Sequence, residues 1–251
     1  MKTSAIVIGA GGGLGSALCE QWQQDSHIDN VIAVSRRVEK TEQQAADANI
    51  HANAHANIQW LQCDYSEASI NEAAESIKHL AGTVTRVCIC NGILHTENIW
   101  PEKRIEDLTL DAMQQVFTAN SMVPLLWLKA LLPVVKGQTD CIISVFSARI
   151  GSIGDNRSGG WYSYRASKAA LNMLLKTASI EFSRRAKNVK LIAFQPGTTD
   201  TNLSKPFQAS VPAENLLTPQ YVAAHLVDIM NNQSVDGELS FVDYENKSIP
   251  W

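Results

Sequence analysis

The residues of this sequence that could do chemistry begin with a tyrosine and a lysine four positions apart, Tyr164 and Lys168. Residues at that spacing lie on one face of a helix, one turn apart. An ammonium group placed there favours the phenolate, so we expect it to lower the pKa of the tyrosine from its ordinary value of about 10. Such a tyrosine can exchange a proton with a substrate oxygen near neutral pH. Many helices carry this spacing by chance, so its meaning depends on the residues around it.

A glycine-rich turn follows the first apolar stretch of the chain. Residues 5–8 have the composition of a buried parallel strand, and the strand ends at Gly9. The glycines are spaced Gly9-x-x-x-Gly13-x-Gly15, and a helical pattern that includes Leu14 begins there. A strand, a glycine turn and a helix in this order let backbone N–H groups approach a pyrophosphate. The spacing differs from the commoner Gly-x-Gly-x-x-Gly of dinucleotide-binding proteins. A flexible loop is the alternative interpretation.

Two arginines follow the second predicted strand, residues 30–34. This strand ends in Ser35-Arg36-Arg37, at the position that meets the adenosine ribose in a dinucleotide fold. An acidic residue there accepts a hydrogen bond from the ribose 2′-hydroxyl, whereas arginine accommodates a 2′-phosphate. The arginines therefore favour NADP over NAD, with a solvated basic pair as the alternative.

The rest of the chain alternates between strand and helix patterns. Further strands are predicted at residues 58–63, 86–90, 140–146, 189–195 and 239–242. Helices are predicted from Ser66 to Gly82, over 109–132 with a bend or an interruption of the hydrogen bonding at Pro124, over 164–184, and from Thr218 onward. This alternation predicts an α/β fold with a doubly wound parallel sheet, a Rossmann fold with helices on both faces. No linker or repeat divides the pattern, so we expect a single domain over residues 1–251.

Composition limits the classes of function. Hydrophobic residues make up 45% of the chain and charged residues 18%, and the net charge of −4 argues against nucleic acid as a partner. We expect no membrane span and no cleavable leader, because no apolar run reaches the required length. The five cysteines, at positions 19, 63, 88, 90 and 141, form no framework, so we expect free thiols and a reducing cytoplasm.

One pair of histidines has metal-ligand spacing. His51 and His55 lie four residues apart, which a helix could turn into half of a metal site. Nothing nearby supplies further ligands, so we interpret this stretch as a solvated loop and expect no metal.

The order of these motifs resembles a known family. The glycine turn, Asn120, Ser147 at the end of the fifth strand and Tyr164-x-x-x-Lys168 occur as in the short-chain dehydrogenase/reductase superfamily. The resemblance covers essentially the whole chain. Three further stretches resemble the subgroup related to the C-factor cell-signalling protein and to insect carbonyl reductases. They are Ser158 to Arg165, Asp200-Thr201 after Pro196-Gly197, and the closing Ile249-Pro250-Trp251.

The resemblance implies a catalytic role for four residues. Tyr164 would be the general acid/base, and Ser147 would hydrogen-bond the substrate oxygen. Lys168 would lower the pKa of the tyrosine and hold the nicotinamide ribose, and Asn120 would anchor a water in the proton relay. Hydride transfer leaves charge on an oxygen, and hydroxyl donors stabilise it there.

The resemblance also implies an NADP site. The predicted contacts are Gly9, Gly13, Leu14 and Gly15 around the pyrophosphate; Ser35, Arg36 and Arg37 at the 2′-phosphate; Asp64 and the backbone of Cys90 and Asn91 at the adenine; and Gly92, Pro196, Gly197, Thr199 and Thr201, with Tyr164 and Lys168, towards the nicotinamide.

The sequence departs from the family pattern at several positions. Ile8 stands where the family usually has Thr, and Ile89-Cys90-Asn91-Gly92 replaces Asn-Asn-Ala-Gly. Tyr162 lies near Tyr164 but has no lysine four residues later. It is therefore not the predicted acid.

Two ways of counting give different positions for the catalytic serine. Ser147 precedes Tyr164 by more residues than is usual in the family. Counting from the strand end selects Ser147, whereas counting back from Gly151 selects Ala148. We choose Ser147, because the loop beyond the strand can absorb an insertion. Ser144, inside the strand, and Ser152, in the loop, are weaker candidates.

Together the motifs predict an NADP(H)-dependent oxidoreductase that acts on a small carbonyl or alcohol. Residues 198–217, irregular in composition, are the expected substrate lid. The family also leads us to expect a homodimer or homotetramer formed through the helices around 110–132 and 164–184. A cofactor-binding signalling or sensor protein, in which turnover is incidental, is the alternative, and a purely structural protein is a third possibility.

Overall fold

The computed structural model describes residues 2–37 and 55–251. In these residues all strands belong to one parallel sheet in the order β3-β2-β1-β4-β5-β6-β7. The strands are β1 (Thr3–Ile8), β2 (Asn30–Ser35), β3 (Asn57–Gln62), β4 (Thr83–Ile89), β5 (Cys141–Phe146), β6 (Val189–Gln195) and β7 (Leu239–Asp243). The predicted Rossmann fold is confirmed.

The described α-helices connect these strands. They are α1 (Gly13–Gln24), α2 (Glu67–Leu80), α3 (Leu110–Phe117), α4 (Val123–Val135), α5 (Tyr162–Arg185) and α6 (Pro219–Asn231). Ser66 caps α2 by accepting a hydrogen bond from the Ser69 N–H group. The chain leaves that helix at Gly82, whose φ of +61° suits glycine.

Alternate residues of the strands face two separate cores. Ile6 and Ile8 lie in the core that also holds Trp127 of α4 and Leu171 of α5. Their neighbours in β1 face the opposite way, into a core that contains Trp22 of α1 and residues of α6. Because both faces of the sheet are covered, its central strands read as continuous apolar runs.

The helix predicted over 109–132 is interrupted directly before Pro124, where the missing N–H group of proline was expected to bend the helix or interrupt its hydrogen bonding. A π-helical turn, Thr118–Met122, separates α3 from α4, and Pro124 lies in the first turn of α4. A wide turn of this kind accommodates a residue that has no backbone N–H group to donate.

The helical stretch Leu110–Val135, counted through the π-turn, is long and apolar. It has the length and mean hydropathy, 1.3 in its most apolar window, that a membrane span requires. Its apolar side chains, including Trp127, Leu128 and Leu131, pack inside the first core. The stretch therefore has a role within the fold that accounts for its composition.

The strand order sets where a ligand can bind. From β1 the chain adds β2 and β3 on one side of the sheet, and it then returns to add β4 on the other side of β1. The order of the strands therefore reverses between β1 and β4. Open α/β sheets bind ligands in the crevice at the carboxyl ends of the strands, at such a switch point. Both the glycine turn after β1 and Asn91-Gly92 after β4 lie there.

Candidate active site

The glycine turn after β1 is tightly packed. The N–H groups of Gly9 and Ala10 both donate to the carbonyl of Val34, at 2.9 and 3.0 Å, which attaches the turn to the end of β2. A Cβ atom on Gly15 would lie 2.3 Å from the carbonyl oxygen of Gly9. Any side chain at position 15 would force the turn open, so glycine is required there.

The start of α1 provides a site for an anion. Gly12, the N-cap residue, has no side chain to accept from the first N–H groups of this twelve-residue helix. These groups, with the positive end of the helix dipole, suit a pyrophosphate. A Cβ atom on Gly13 would lie 3.0 Å from Cγ2 of Thr201, which brings the segment after β6 to the same place.

The two arginines lie next to this turn. Arg36 and Arg37 are exposed at the carboxyl end of β2. Ser35 is buried, and its Oγ lies 2.5 Å from where a Cβ atom of Gly11 would be. A phosphate beside the turn would therefore meet cationic side chains.

Asp64 has local partners in this structure. Its carboxylate accepts a hydrogen bond from the Ser66 N–H group at 2.8 Å. Hydrogen bonds from Ser66 hold the pKa of Asp64 below its ordinary value, so it is an acceptor at neutral pH. The oxygens of an exposed carboxylate have room for a further donor such as an adenine amino group.

The turn and the tyrosine helix are linked through the residues after β4. A Cβ atom on Gly9 would lie 3.1 Å from the backbone nitrogen of Asn91. One on Gly92 would lie 3.1 Å from Oδ1 of Asn120 and 3.6 Å from Nζ of Lys168. The two glycines thus let the loop after β4 pack closely against the glycine turn on one side and against Asn120 and Lys168 on the other.

The π-helical turn holds Asn120 in the protein interior. Its side-chain oxygen accepts from the Ile93 N–H group at 2.7 Å. Its Nδ2 atom donates to the Ile93 carbonyl at 2.8 Å and to Oγ of Ser167 at 3.1 Å. The side chain therefore fastens the loop after β4 to α5. The contact of Asn120 with a water of the proton relay stays a prediction.

Lys168 is buried beneath the tyrosine. Its Nζ donates to the carbonyl of Phe146 at 2.7 Å and lies 5.9 Å from the ring centroid of Tyr164. Burial lowers the pKa of Lys168 to about 8 and raises that of Tyr164 to about 12. The expected lowering of the Tyr164 pKa is therefore wrong for this structure. Desolvation raises the free energy of the phenolate by more than the Lys168 ammonium, which is bonded to a carbonyl, lowers it.

The lowered pKa of Lys168 predicts a pH dependence of stability. Between pH 8 and about 10.5 the unfolded chain binds a proton that the folded chain has released, so stability rises with pH over this window. We expect the free energy of unfolding of the wild type, relative to Lys168→Met, to rise by about 2 kcal/mol from pH 8 to 10. Above pH 10 the raised pKa of Tyr164 acts in the opposite direction. Urea titrations of both proteins would measure the difference, and a difference independent of pH would contradict a desolvated lysine.

Ser147 follows β5 and points into the tyrosine helix. Its Oγ donates to Oδ1 of Asn172 at 2.5 Å, one turn beyond Lys168 on α5. The Nδ2 atom of Asn172 is buried and has no hydrogen-bond partner in the described part of the chain. Rotation of this amide by a half turn would let Nδ2 donate to Ser147 and release the serine proton.

The structure fixes the reference points of both counts to the serine. Ser147 is held at the strand end, because its N–H group donates to the Phe194 carbonyl at 2.8 Å. Gly151 is held too, since a Cβ atom there would lie 2.8 Å from the carbonyl carbon of Lys168. The choice of Ser147 over Ala148 therefore stays a prediction. Ser144 is buried inside β5, and Oγ of Ser152 accepts from the Asp155 N–H group at 3.2 Å.

Glu102 is part of this site but carries no signal in the sequence. Its buried carboxylate caps α5 by accepting from the N–H group of Ser163 at 3.1 Å and from the Ser163 hydroxyl. An anion at a helix N-terminus stabilises that helix, here one residue before Tyr164. The two partners are 61 positions apart, so no local pattern connects them. Asn172 was also missed, although its spacing of four from Lys168 could have indicated it.

The other residues considered in the sequence lie on the segment after β6 and at the start of α5. Gly197, with φ of +72°, and Thr201 lie on the segment that reaches the glycine turn. The hydroxyl of buried Thr199 donates to the Pro196 carbonyl at 3.1 Å, so that group is engaged locally. Tyr162 is the first residue of α5 and is 39% exposed.

The remaining expectations concern the two histidines, a metal site and the cysteines. His51 lies outside the described residues, and His55 is exposed. Within residues 2–37 and 55–251 no group of metal-binding side chains occurs. All five cysteines are free thiols, as expected.

Comparisons with known proteins agree with this geometry. A family model described as short chain dehydrogenase matches residues 3–211. The 1-hydroxy-2-glutathionyl-2-methyl-3-butene dehydrogenase of Rhodococcus sp. strain AD45 is 28% identical over 179 residues, 70% of this chain and 76% of that protein. The C-signal of Myxococcus xanthus is 29% identical over 145 residues, 58% of this chain and 82% of that protein.

Solved structures share the whole fold. The NADPH-bound carbonyl reductase from chicken fatty liver superposes with a TM-score of 0.81 at 24% identity, covering 100% of both chains. The carbonyl reductase Sniffer of D. melanogaster gives a TM-score of 0.81 at 20% identity, covering 100% of this chain and 99% of the other. The resemblance to C-factor and insect carbonyl reductases that the sequence indicated is confirmed.

Proposed function

The chain belongs to the short chain dehydrogenase family, a family of oxidoreductases, and from that premise we propose that it is an NADP(H)-dependent carbonyl reductase. The observation that supports this most is the close packing at Gly9 and Gly92, which brings the glycine turn to the same edge of the sheet as Lys168 and the ring of Tyr164. It connects an anion site at a helix N-terminus with a proton-donating phenol. The reverse reaction, alcohol oxidation, would use the same groups.

The residues at this edge of the sheet fit a dinucleotide. The backbone at Gly9, Gly13 and Gly15 would hold the pyrophosphate, and Arg36 and Arg37 would hold a 2′-phosphate. When bound, NADPH supplies the hydride that reduces the carbonyl carbon. The NADPH-bound state of the chicken enzyme, which shares this fold, favours the same cofactor here.

The protein's own contribution is to bind the carbonyl and protonate its oxygen. With a pKa of about 12, Tyr164 keeps its proton at neutral pH, so it can donate from Oη to the oxygen as charge develops there. Lys168, with a pKa of about 8, is largely charged at that pH and stabilises the phenolate left behind. Ser147 donates a second hydrogen bond once Asn172 turns its amide.

The direct test uses purified protein, NADPH and a panel of aldehydes and ketones, with turnover followed at the nicotinamide absorbance. We expect reduction of at least one carbonyl class. Calorimetry provides the binding control, and failure to bind either nicotinamide cofactor would contradict the proposal and favour a structural role.

The cofactor preference has its own test. Arg36→Asp together with Arg37→Ala should weaken NADP binding by about 100-fold and NAD binding by less than about 3-fold, because only NADP carries the 2′-phosphate that these guanidinium groups pair with. Calorimetric titration with each cofactor measures both values. An equal loss for the two cofactors would remove the arginines from the site.

Similarity to C-signal favours a second candidate function, a cofactor-binding signalling protein in which turnover is incidental. A deletion strain complemented with variants separates the two candidates. Full rescue by Tyr164→Phe but none by Gly15→Ala would show that cofactor binding alone is selected.

We also propose that the chain forms one domain and a cytoplasmic homodimer or homotetramer. Apolar side chains on α3 and α5 are exposed, among them Leu110, Met173 and Ile180. Burial of these faces between subunits would stabilise an oligomer. Light scattering after gel filtration gives the mass that tests this.

A further inference from the structure

A cluster of four aromatic rings adjoins Tyr164. His95 and Trp100 come from the loop after β4, Trp161 directly precedes α5, and Phe207 comes from the segment after β6. His95 stacks on Trp100 with ring centroids 5.4 Å apart, and Phe207 meets Trp100 at 5.9 Å and Trp161 at 5.1 Å. The indole of Trp161 meets the Tyr164 ring edge to face, at 6.2 Å. We call these four residues the aromatic cluster.

The cluster is separate from both hydrophobic cores. None of its four rings belongs to either core of the described structure, and Trp100 remains 57% exposed. Its members lie on three different loops at the carboxyl edge of the sheet. Large aromatic rings gathered at a site rather than in a core have a surface to offer to a ligand.

The backbone at Trp161 is strained in a way that points to function. Its φ of +53° is in the left-handed region, which a bulky residue rarely occupies. The φ angles of Gly159 and Gly160 are also positive. The Glu102 carbonyl accepts from the Trp161 N–H group at 2.5 Å, and Nε of Arg165 donates to the Gly160 carbonyl at 2.9 Å. Strain kept in place by surrounding contacts is typical of ligand sites.

The segment that carries Phe207 is closed on itself. Its ends pair, since the Asp200 N–H group donates to the Leu217 carbonyl at 2.8 Å. Gln208, next to Phe207, donates to Oδ1 of Asp200 at 2.9 Å and to Oγ of Ser204 at 2.8 Å. His95 joins this segment to the loop after β4 through a 3.1 Å contact between Nε2 and the Asn202 carbonyl oxygen. Hydrogen bonds at both ends of this segment and at Gln208 therefore hold Phe207 against the other rings of the cluster.

We infer that the aromatic cluster is the substrate-binding wall and that it selects aryl carbonyls, with the substrate ring packed against Trp161 and Phe207 and its carbonyl oxygen at Tyr164. This inference rests on the proposed reductase function and adds the substrate class. Ring faces and edges complement another aromatic ring better than an alkyl group, through both buried area and pairing geometry.

The test compares two substrates with the same reacting group, 2,3-butanedione and 1-phenyl-1,2-propanedione, in which one methyl is replaced by phenyl. We expect the wild type to prefer the phenyl compound by about 100-fold in kcat/KM. Phe207→Ala should reduce that preference about 10-fold, and Phe207→Tyr, which keeps the ring, should retain it. NADPH consumption is measured and the alcohol product is checked by chromatography.

Gln208→Ala is the matched control, because it loosens the same segment without removing a ring. It should change both substrates equally and leave the ratio intact. Thermal melting of each variant identifies any loss of folding, and Trp100→Ala, at an exposed position, is a second variant that should lower the preference.

The outcomes distinguish this inference from the proposed function. Reduction of 2,3-butanedione with no preference for phenyl, or a preference unchanged by Phe207→Ala, would overturn the aryl site and leave the reductase intact. Turnover of neither diketone would overturn the aryl inference, and NADPH titration would then decide whether the cofactor proposal stands.

Discussion

Tyr164→Phe is expected to lower kcat/KM for carbonyl reduction by about 10³-fold, within the range that a general acid contributes. The change removes only the hydroxyl that protonates the developing alkoxide. The ring still packs against Trp161, whose centroid lies 6.2 Å away, so the fold and the substrate wall should persist. Affinity for NADPH should change by less than about 3-fold. Steady-state kinetics and calorimetry on the same preparation measure both effects.

Tyr162→Phe is the matched control for this prediction. It removes an identical hydroxyl two residues earlier on α5, from a side chain that is 39% exposed. We expect wild-type kinetics. Unchanged turnover in Tyr164→Phe, for every carbonyl that the wild type reduces, would exclude this residue as the proton donor.

Ser147→Ala should lower kcat by about 10²-fold, with a smaller effect on KM. Removal of one hydrogen-bond donor to a developing oxyanion costs about 10² to 10³ in kcat. In this structure the Ser147 proton is bonded to Asn172, so the serine acts only if that amide turns. Asn172→Asp should therefore also reduce kcat, because a carboxylate can only accept the proton.

Ala148→Ser supplies the competing serine and makes the experiment decisive. If the strand end sets the position, this variant should match the wild type, and it should not rescue Ser147→Ala. Full activity in Ser147→Ala, with a gain in Ala148→Ser, would move the site to position 148 and show that counting from Gly151 was right.

Much of the fold could be predicted, because its determinants are local. Each strand was a short apolar run bounded by polar or glycine residues, and the observed bounds differ from the predictions by at most a few residues. The exception is the stretch 110–135. Pro124 predicts an interruption there, but no local pattern shows that it takes the form of the π-turn Thr118–Met122, in which Asn120 contacts Ile93, 27 residues away.

The candidate site was predictable only in part, and for a related reason. Residues next to one another in the chain, such as Gly9 to Gly15, determine a turn that any reader of the sequence can find. The partners Glu102 and Ser163 and the rings of Trp100, Trp161 and Phe207 are brought together by separate loops. No spacing rule connects them.

Tyr164 and Lys168 illustrate the division. By itself the sequence determined that the two residues share a helix face, because helical periodicity is a property of neighbouring residues. Only the tertiary structure decided their pKa values. Burial raises the pKa of Tyr164 to about 12 and lowers that of Lys168 to about 8, because desolvation depends on every element packed around a group and not on its neighbours in the chain.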